Sequence, residues 1–163
     1  MTVELFRIDD RLIHGQVVVG WGQPLDIGFI VLVDDEVAAS EWEQELYRMG
    51  VPPEMQVYFD SVESAAAHMP DYVGDARRGI LLTGDIETMA RLAEASALVR
   101  QVNLGGIHHR AGRVQRLRYV FLTPDEESAL RTLAARGVTV TAQDVPAARP
   151  HPLTEVLAGG GGG

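Results

Sequence analysis

The chain of 163 residues contains no cysteine, so disulfides, thiolate nucleophiles and Cys-based metal sites are excluded together. Any covalent chemistry must use another side chain. Lysine is also absent. All fourteen basic residues are arginine, a bias that reads as coding composition rather than a general demand for forked guanidinium geometry. No apolar run approaches the ~18 residues of a membrane span. The N-terminus, MTVELFRIDD, lacks the basic start and apolar core of a secretory signal, so the expected compartment is the cytoplasm. Phosphate-cradling glycine signatures are missing from the first loop, which matches neither G-x-G-x-x-G nor G-x-x-x-x-G-K-[ST]; a nucleotide-binding module fares badly on that ground. The formal charge of −9 argues against a general nucleic-acid binder, because backbone affinity rests on basic side chains. No internal repeat is visible.

What is present fits one domain of ordinary size with a single core. Hydrophobic residues make up 46% and charged residues 23%, close to globular averages. Short apolar or β-branched runs at Val3 to Ile8, Ile27 to Val33, Met55 to Phe59, Gly79 to Leu82, Gln101 to Leu104, Tyr119 to Leu122 and Val138 to Thr141 read as strands. Helical spacing appears over His14 to Trp21, Glu36 to Met49, Ser61 to Met69, Asp85 to Ala95 and Pro124 to Ala135. The last of these carries its own boundaries: Thr123 caps, Pro124 opens the first turn, Glu126 completes a capping box, and Gly137 stops the helix. Alternation of strand and helix predicts a single-domain α/β fold, doubly wound, with a mostly parallel sheet of about seven strands and helices on both faces. Between Leu104 and Leu122 no helix intervenes, so an antiparallel edge hairpin is expected there. The domain is expected over 1–145. Residues 146–163, rich in Pro and ending in five Gly, read as a flexible tail.

In open α/β sheets ligands sit beyond the carboxyl ends of the strands, which draws attention to the loop after the first one. It reads Arg7-Ile8-Asp9-Asp10-Arg11-Leu12-Ile13-His14-Gly15-Gln16. An imidazole at a helix start suits a phosphoryl group, since free backbone N–H groups stabilise added negative charge. Gly15 lets backbone approach the phosphoryl oxygens. Arg11 offers a bidentate fork, and Asp9 or Asp10 can accept from the imidazole N–H and so fix which nitrogen attacks. A neutral imidazole needs no dedicated base for this chemistry. A His after a strand is also what an ordinary polar surface residue looks like, and Asp-Asp-Arg is also a solvated turn. The residues alone therefore define a candidate anion site.

The string RIDDRLIHGQVVVGW resembles the phosphorylation-site signature of the IIB components of the mannose/fructose/sorbose family of the bacterial sugar phosphotransferase system. VNLGGIHHRAGRVQ resembles that family's second segment, an Asn-x-Gly-Gly turn and a basic loop, and LRTLAARGVTVTAQDVP its closing helix and strand. The resemblance spans almost the whole chain, whose length agrees with a free-standing IIB domain. It implies a transferase that moves phosphoryl groups from phosphohistidine to sugar. His14 would be the phosphorylated residue, through Nδ1, with Arg11 contacting the phosphoryl group and the Asp pair of the signature mapping onto Asp9 and Asp10; with the residue chemistry above, Asp9 and Asp10 are expected to orient the ring and Gly15 and Gln16 to bind phosphoryl oxygens. The implied partners are a IIA phosphocarrier as donor and membrane IIC and IID subunits holding the sugar. The chain itself would stay peripheral to the membrane. The resemblance implies no metal, cofactor or nucleic acid. A regulatory phosphocarrier using the same His14 chemistry is the alternative.

Other features are less specific. From Ala97 to Thr123 there is no acid, whereas Arg100, Arg110, Arg113, Arg116 and Arg118 fall within it. Arg110 and Arg113 are thereby expected to lend positive potential beside the phosphoryl site or to dock a partner. His108 and His109 have no assigned role; adjacent residues rarely face one ion, which argues against a metal site. Trp21 and Trp42 read as packing or rim residues, and Thr83-Gly84-Asp85 as a cap on the following helix.

Overall fold

Seven strands form the main sheet of the computed structural model, which describes residues 3–159. In chain order they are β1 (Val3–Ile8), β2 (Ile27–Val33), β3 (Gln56–Asp60), β4 (Arg78–Thr83), β5 (Gln101–Leu104), β8 (Thr139–Ala142) and β9 (His151–Pro152). A separate antiparallel hairpin pairs β6 (Val114–Leu117) with β7 (Val120–Leu122). The main sheet runs β3-β2-β4-β1-β5-β8-β9, parallel throughout except for β9, which lies antiparallel to β8. Continuous apolar runs make this arrangement stable. Phe29 to Val33 of β2 are all buried, as expected where helices cover both faces of a parallel sheet.

Helices α1 (Asp35–Ala38), α2 (Glu41–Met49), α3 (Val62–Val73), α4 (Ile86–Ala95) and α5 (Pro124–Ala135) fill connections between strands, and α6 (Leu153–Ala158) follows β9. Two apolar clusters result. Phe6, Ile8, Val31 and Leu81 pack with residues of α3, α4, α5 and α6, while Leu5, Ile30, Leu32 and Leu82 pack with Val17, Val18, Trp21 and Val37. Each fully buried Phe, Leu or Ile removes enough apolar surface to contribute about 1.5–3 kcal/mol.

Several details depart from the sequence expectation. The helix expected over Glu36 to Met49 is broken into α1 and α2, because Ser40 leaves helical geometry and its hydroxyl caps the N–H of Glu43. The segment after His14 is a π-helical turn, Gln16–Trp21, closed by Gly22 N–H donating to Val17 O, five residues back. Gly22 permits this: a Cβ there would stand 2.3 Å from the Val18 carbonyl oxygen. The expected strand near Tyr119 belongs to the hairpin, and it touches the main body through a bridge between Ile107 and Val120. The segment from Pro146, read as a tail, instead adds β9 at the sheet edge and α6, whose Leu153 and Val156 are buried. Apolar side chains at this spacing dock against the core despite the Pro-rich approach. The terminal Gly160 to Gly163 lie outside the described residues.

Candidate phosphoryl-transfer site

The site lies at the carboxyl ends of β1 and β5. The chain leaves β1 toward β2 on one side and leaves β5 toward β8 on the other, so a crevice opens between their loops. The first loop and the Gly105-Gly106 turn face each other across it and are tied by backbone bonds: Gly105 N–H to Ile8 O at 2.7 Å and Asp10 N–H to Gly106 O at 2.9 Å.

Asp9 is the hub. It is fully buried, and its Oδ1 accepts from the Arg11 backbone N–H at 3.1 Å and from Arg11 Nε at 3.3 Å. Its Oδ2 accepts from Arg11 Nη2 and from Gly106 N–H, both at 3.4 Å. His14 Nε2 lies 3.3 Å from the same oxygen, although out of line for a well-formed hydrogen bond. Burial pushes the carboxyl up, but the His14 ring N–H close beside it and donation from Arg11 outweigh that and hold the group at about 2. Leu12 makes the turn possible by adopting φ 59°, a strained choice for a branched side chain. Its N–H returns to Asp9 O at 3.0 Å, and its side chain lies where a Cβ on Gly84 would come within 2.7 Å.

This turn brings the His14 ring back beneath Asp9. At its other edge, Nδ1 accepts the Gln16 backbone N–H at 3.2 Å. An acceptor nitrogen must carry a lone pair, which leaves the ring proton on Nε2 facing Asp9. The donor at Nδ1 is thus one specific amide rather than the dipole of a long helix, since the π-helical turn spans only six residues. Gly15 has open space where a Cβ would project. Arg11 Nη2 also donates to Gln16 Oε1 at 3.2 Å, and its side chain is 43% exposed, so the guanidinium borders the crevice and remains accessible.

Sequence reasoning passed over Arg7. It is almost wholly buried, 1% exposed, yet it is charged. Its Nη1 donates to Asn103 Oδ1 and to Gln143 O at 2.9 Å, its Nη2 donates to Asp144 O at 3.2 Å and lies 3.7 Å from Asp9 Oδ2, and the guanidinium stacks 4.6 Å from the Trp21 ring. Burial pushes this guanidinium down, and Asp9 and then Asp144 oppose the shift. The signal in the sequence is an Arg inside an apolar strand; its register with Asn103 of β5 appears only in the fold. Gly105 completes the niche, because a Cβ there would stand 2.4 Å from Arg7 Nη2 and 2.5 Å from Cζ. Gly105→Ala is expected to destabilise the fold by about 1–3 kcal/mol through overpacking. Urea unfolding measures this; an unchanged midpoint would mean that the guanidinium has room to move.

Asp10 does not orient His14; its carboxylate binds His108 instead, through Nδ1 at 2.7 Å and the backbone N–H at 2.8 Å. Arg113 is nearly buried and forms a bidentate pair with Glu126 at 2.8 and 3.0 Å while donating to His108 O. It therefore pins the second loop to α5 and is not free to dock a partner. Arg110 is exposed and has no ion pair among the described residues. Of the tryptophans, Trp21 is buried and Trp42 exposed. Asp85 caps α4 by accepting the Thr88 N–H at 2.7 Å, and Thr83 O accepts the Asp9 N–H at 3.0 Å.

Comparison with known proteins relates the chain, by sequence and fold, to a family. Residues 3–160 match the family model described as PTS system sorbose subfamily IIB component. The sorbose-specific EIIB component of Klebsiella pneumoniae is 37% identical over 142 residues, covering 85% of this chain and 84% of that protein. The mannose-specific EIIAB component of Escherichia coli is 33% identical over 147 residues; the match takes in 89% of this chain and 45% of that protein, so the chain spans just under half its length. Among solved structures, the IIBSor domain of the sorbose permease from Klebsiella pneumoniae superposes with a TM-score of 0.85 at 29% identity, covering 97% of each chain. On the family match and the shared fold together, the chain belongs to the sorbose subfamily of IIB components of the sugar phosphotransferase system.

Proposed function

We propose that the chain carries a phosphoryl group on Nδ1 of His14, receiving it from the phosphohistidine of a IIA component and passing it to a sugar held by membrane IIC and IID subunits. The observation that carries this reading is the orientation of the ring: Nδ1 meets the Gln16 amide at 3.2 Å while Nε2 faces Asp9 at 3.3 Å. In acceptance, the Nδ1 lone pair attacks phosphorus and the donor's N–P bond breaks, returning its electron pair to the donor imidazole. The ring of His14 is then substituted at both nitrogens and formally cationic, and the buried carboxylate of Asp9 stabilises that charge. The Gln16 N–H, displaced from Nδ1, is left to meet a phosphoryl oxygen, and Arg11 Nη2 stands beside it through Gln16 Oε1. No proton need leave His14 for this step, which fits positioning and charge stabilisation as the main contributions.

The relatives are named for sorbose, mannose, N-acetylgalactosamine and fructose, so the family supports a sugar as acceptor without selecting one. The name of the mannose-specific EIIAB relative joins an A part to the B part that this chain matches, which supports a IIA donor. Incubation with a phosphorylated IIA component, followed by mass spectrometry and phosphorus NMR, tests the assignment. One acid-labile, base-stable group on Nδ1 of His14 is expected. A stable label on another side chain would overturn it.

A further inference from the structure

A second histidine borders the same crevice. His108 follows the Gly105-Gly106 turn, and the two oxygens of Asp10 hold it: Oδ1 lies 2.7 Å from Nδ1 and Oδ2 accepts the backbone N–H at 2.8 Å. An ionised carboxylate only accepts, so Nδ1 carries the proton and Nε2 of the neutral ring has its lone pair free. Nε2 has no partner among the described residues, and the side chain is 57% exposed. Its position relative to the site is fixed by Gly106. A Cβ on that glycine would stand 3.1 Å from His108 Cε1, 3.5 Å from Asp9 Oδ1 and 3.6 Å from Arg11 Nη2. The space above Gly106 is therefore bordered by His108 on one side and by the groups that serve His14 on the other.

We propose that His108, held by Asp10, is the proton acceptor in the delivery step. The inference rests on the carrier reading of His14. In delivery a hydroxyl oxygen attacks the phosphorus on His14: the O–P bond forms, the N–P bond breaks, and its electron pair returns to Nδ1. The hydroxyl proton must go elsewhere. Nε2 of His108 takes it, the resulting imidazolium is stabilised by Asp10, and the exposed ring then releases the proton to solvent. Acceptance has no such requirement, because the attacking nitrogen of His14 carries no proton. The two half-reactions thus depend differently on His108. The charged groups facing it are Asp10, Asp9 and Arg11 of the first loop and Arg113 of its own loop, the last already neutralised by Glu126 of α5; His109 and Arg110 beside it are exposed.

The test uses the full chain, labelled with phosphoramidate and mixed with membrane vesicles carrying the IIC and IID subunits and sorbose, mannose, fructose or N-acetylgalactosamine. Hydrolysis, with water as the attacking hydroxyl, is followed in the same samples. His108→Gln is expected to label His14 within about 2-fold of wild type and to slow delivery and hydrolysis by about 100-fold. Wild-type delivery should fall as acid protonates the ring, and that limb should vanish in the variant. Asp10→Asn, which keeps the ring but weakens its imidazolium, should fall between the two. Delivery and hydrolysis by His108→Gln at the wild-type rate would overturn the proposal, as would equal slowing of both half-reactions, which marks a merely structural role. Failure of the wild-type chain to label at His14 would instead remove the carrier reading itself.

Discussion

His14→Ala is expected to reduce phosphoryl labelling to background, a loss of at least about 1,000-fold, because the variant lacks the proposed nucleophile rather than one of its supports. The neighbouring groups cannot substitute. Asp9 is buried and bound on both oxygens, and Arg11 has no lone pair to offer. The fold should survive the change. The His14 side chain is 17% exposed, and its removal takes one polar neighbour from Asp9, which keeps its bonds from Arg11 and Gly106, a cost of about 1 kcal/mol. Labelling by phosphorylated IIA, read beside a thermal melt, separates the two effects. A folded His14→Ala chain that labels like wild type would place the chemistry on another side chain, with the exposed ring of His108 the first to examine.

Asp9→Ala should damage stability more than any other single change at the site, by about 3–5 kcal/mol. The reason lies behind the visible site. Arg7 is buried with its guanidinium 3.7 Å from Asp9 Oδ2, and without the carboxylate a buried charge loses its nearest neutralising partner. The double variant Arg7→Met/Asp9→Ala should recover part of the loss, since an apolar replacement of a buried pair is often tolerated. Acid should act in the same direction. The carboxyl sits at about 2 in the fold against an ordinary value of 3.8, so the folded state binds that proton more weakly than the unfolded chain. The associated stabilisation, about 2 kcal/mol, is fully present above about pH 4 and is lost as pH falls through about 2. Urea midpoints of wild type and Asp9→Ala should therefore converge as pH is lowered from 7 toward 2. Midpoints that stay equally far apart would show that Asp9 acts through packing alone.

Much of this molecule is legible in its local sequence. The run IGFIVLV is too continuous in β-branched and apolar residues for anything but a doubly covered strand, and Thr123-Pro124-Asp125-Glu126 forms the capping box its sequence announces. Local chemistry decides both, so local sequence suffices. The basic stretch from Ala97 to Thr123 shows where such reading fails. It has no acid in sequence, but α5 brings Glu126 to Arg113 and Glu127 to Arg116, and Asp144 stands 3.9 Å from Arg118. A local charge excess becomes a set of ion pairs, and Arg110 stays exposed and unpaired among the described residues.

The two aspartates make the same point at the site. They are adjacent in sequence and chemically identical, and only the direction each side chain takes from the end of β1 separates them. Asp9 turns inward to Arg7, Arg11 and His14; Asp10 turns across the crevice to His108. The sequence by itself determined the fold class and singled out the loop that holds the candidate site, because strand burial, helix caps and residue chemistry are encoded within a few neighbours. Tertiary structure alone decided which carboxylate serves which histidine, that an arginine is buried behind the site, and that the Pro-rich end closes the sheet. Those outcomes depend on strands paired in register across about a hundred residues of chain, as Arg7 is with Asn103, and on the strong cost of leaving a buried charge without a partner.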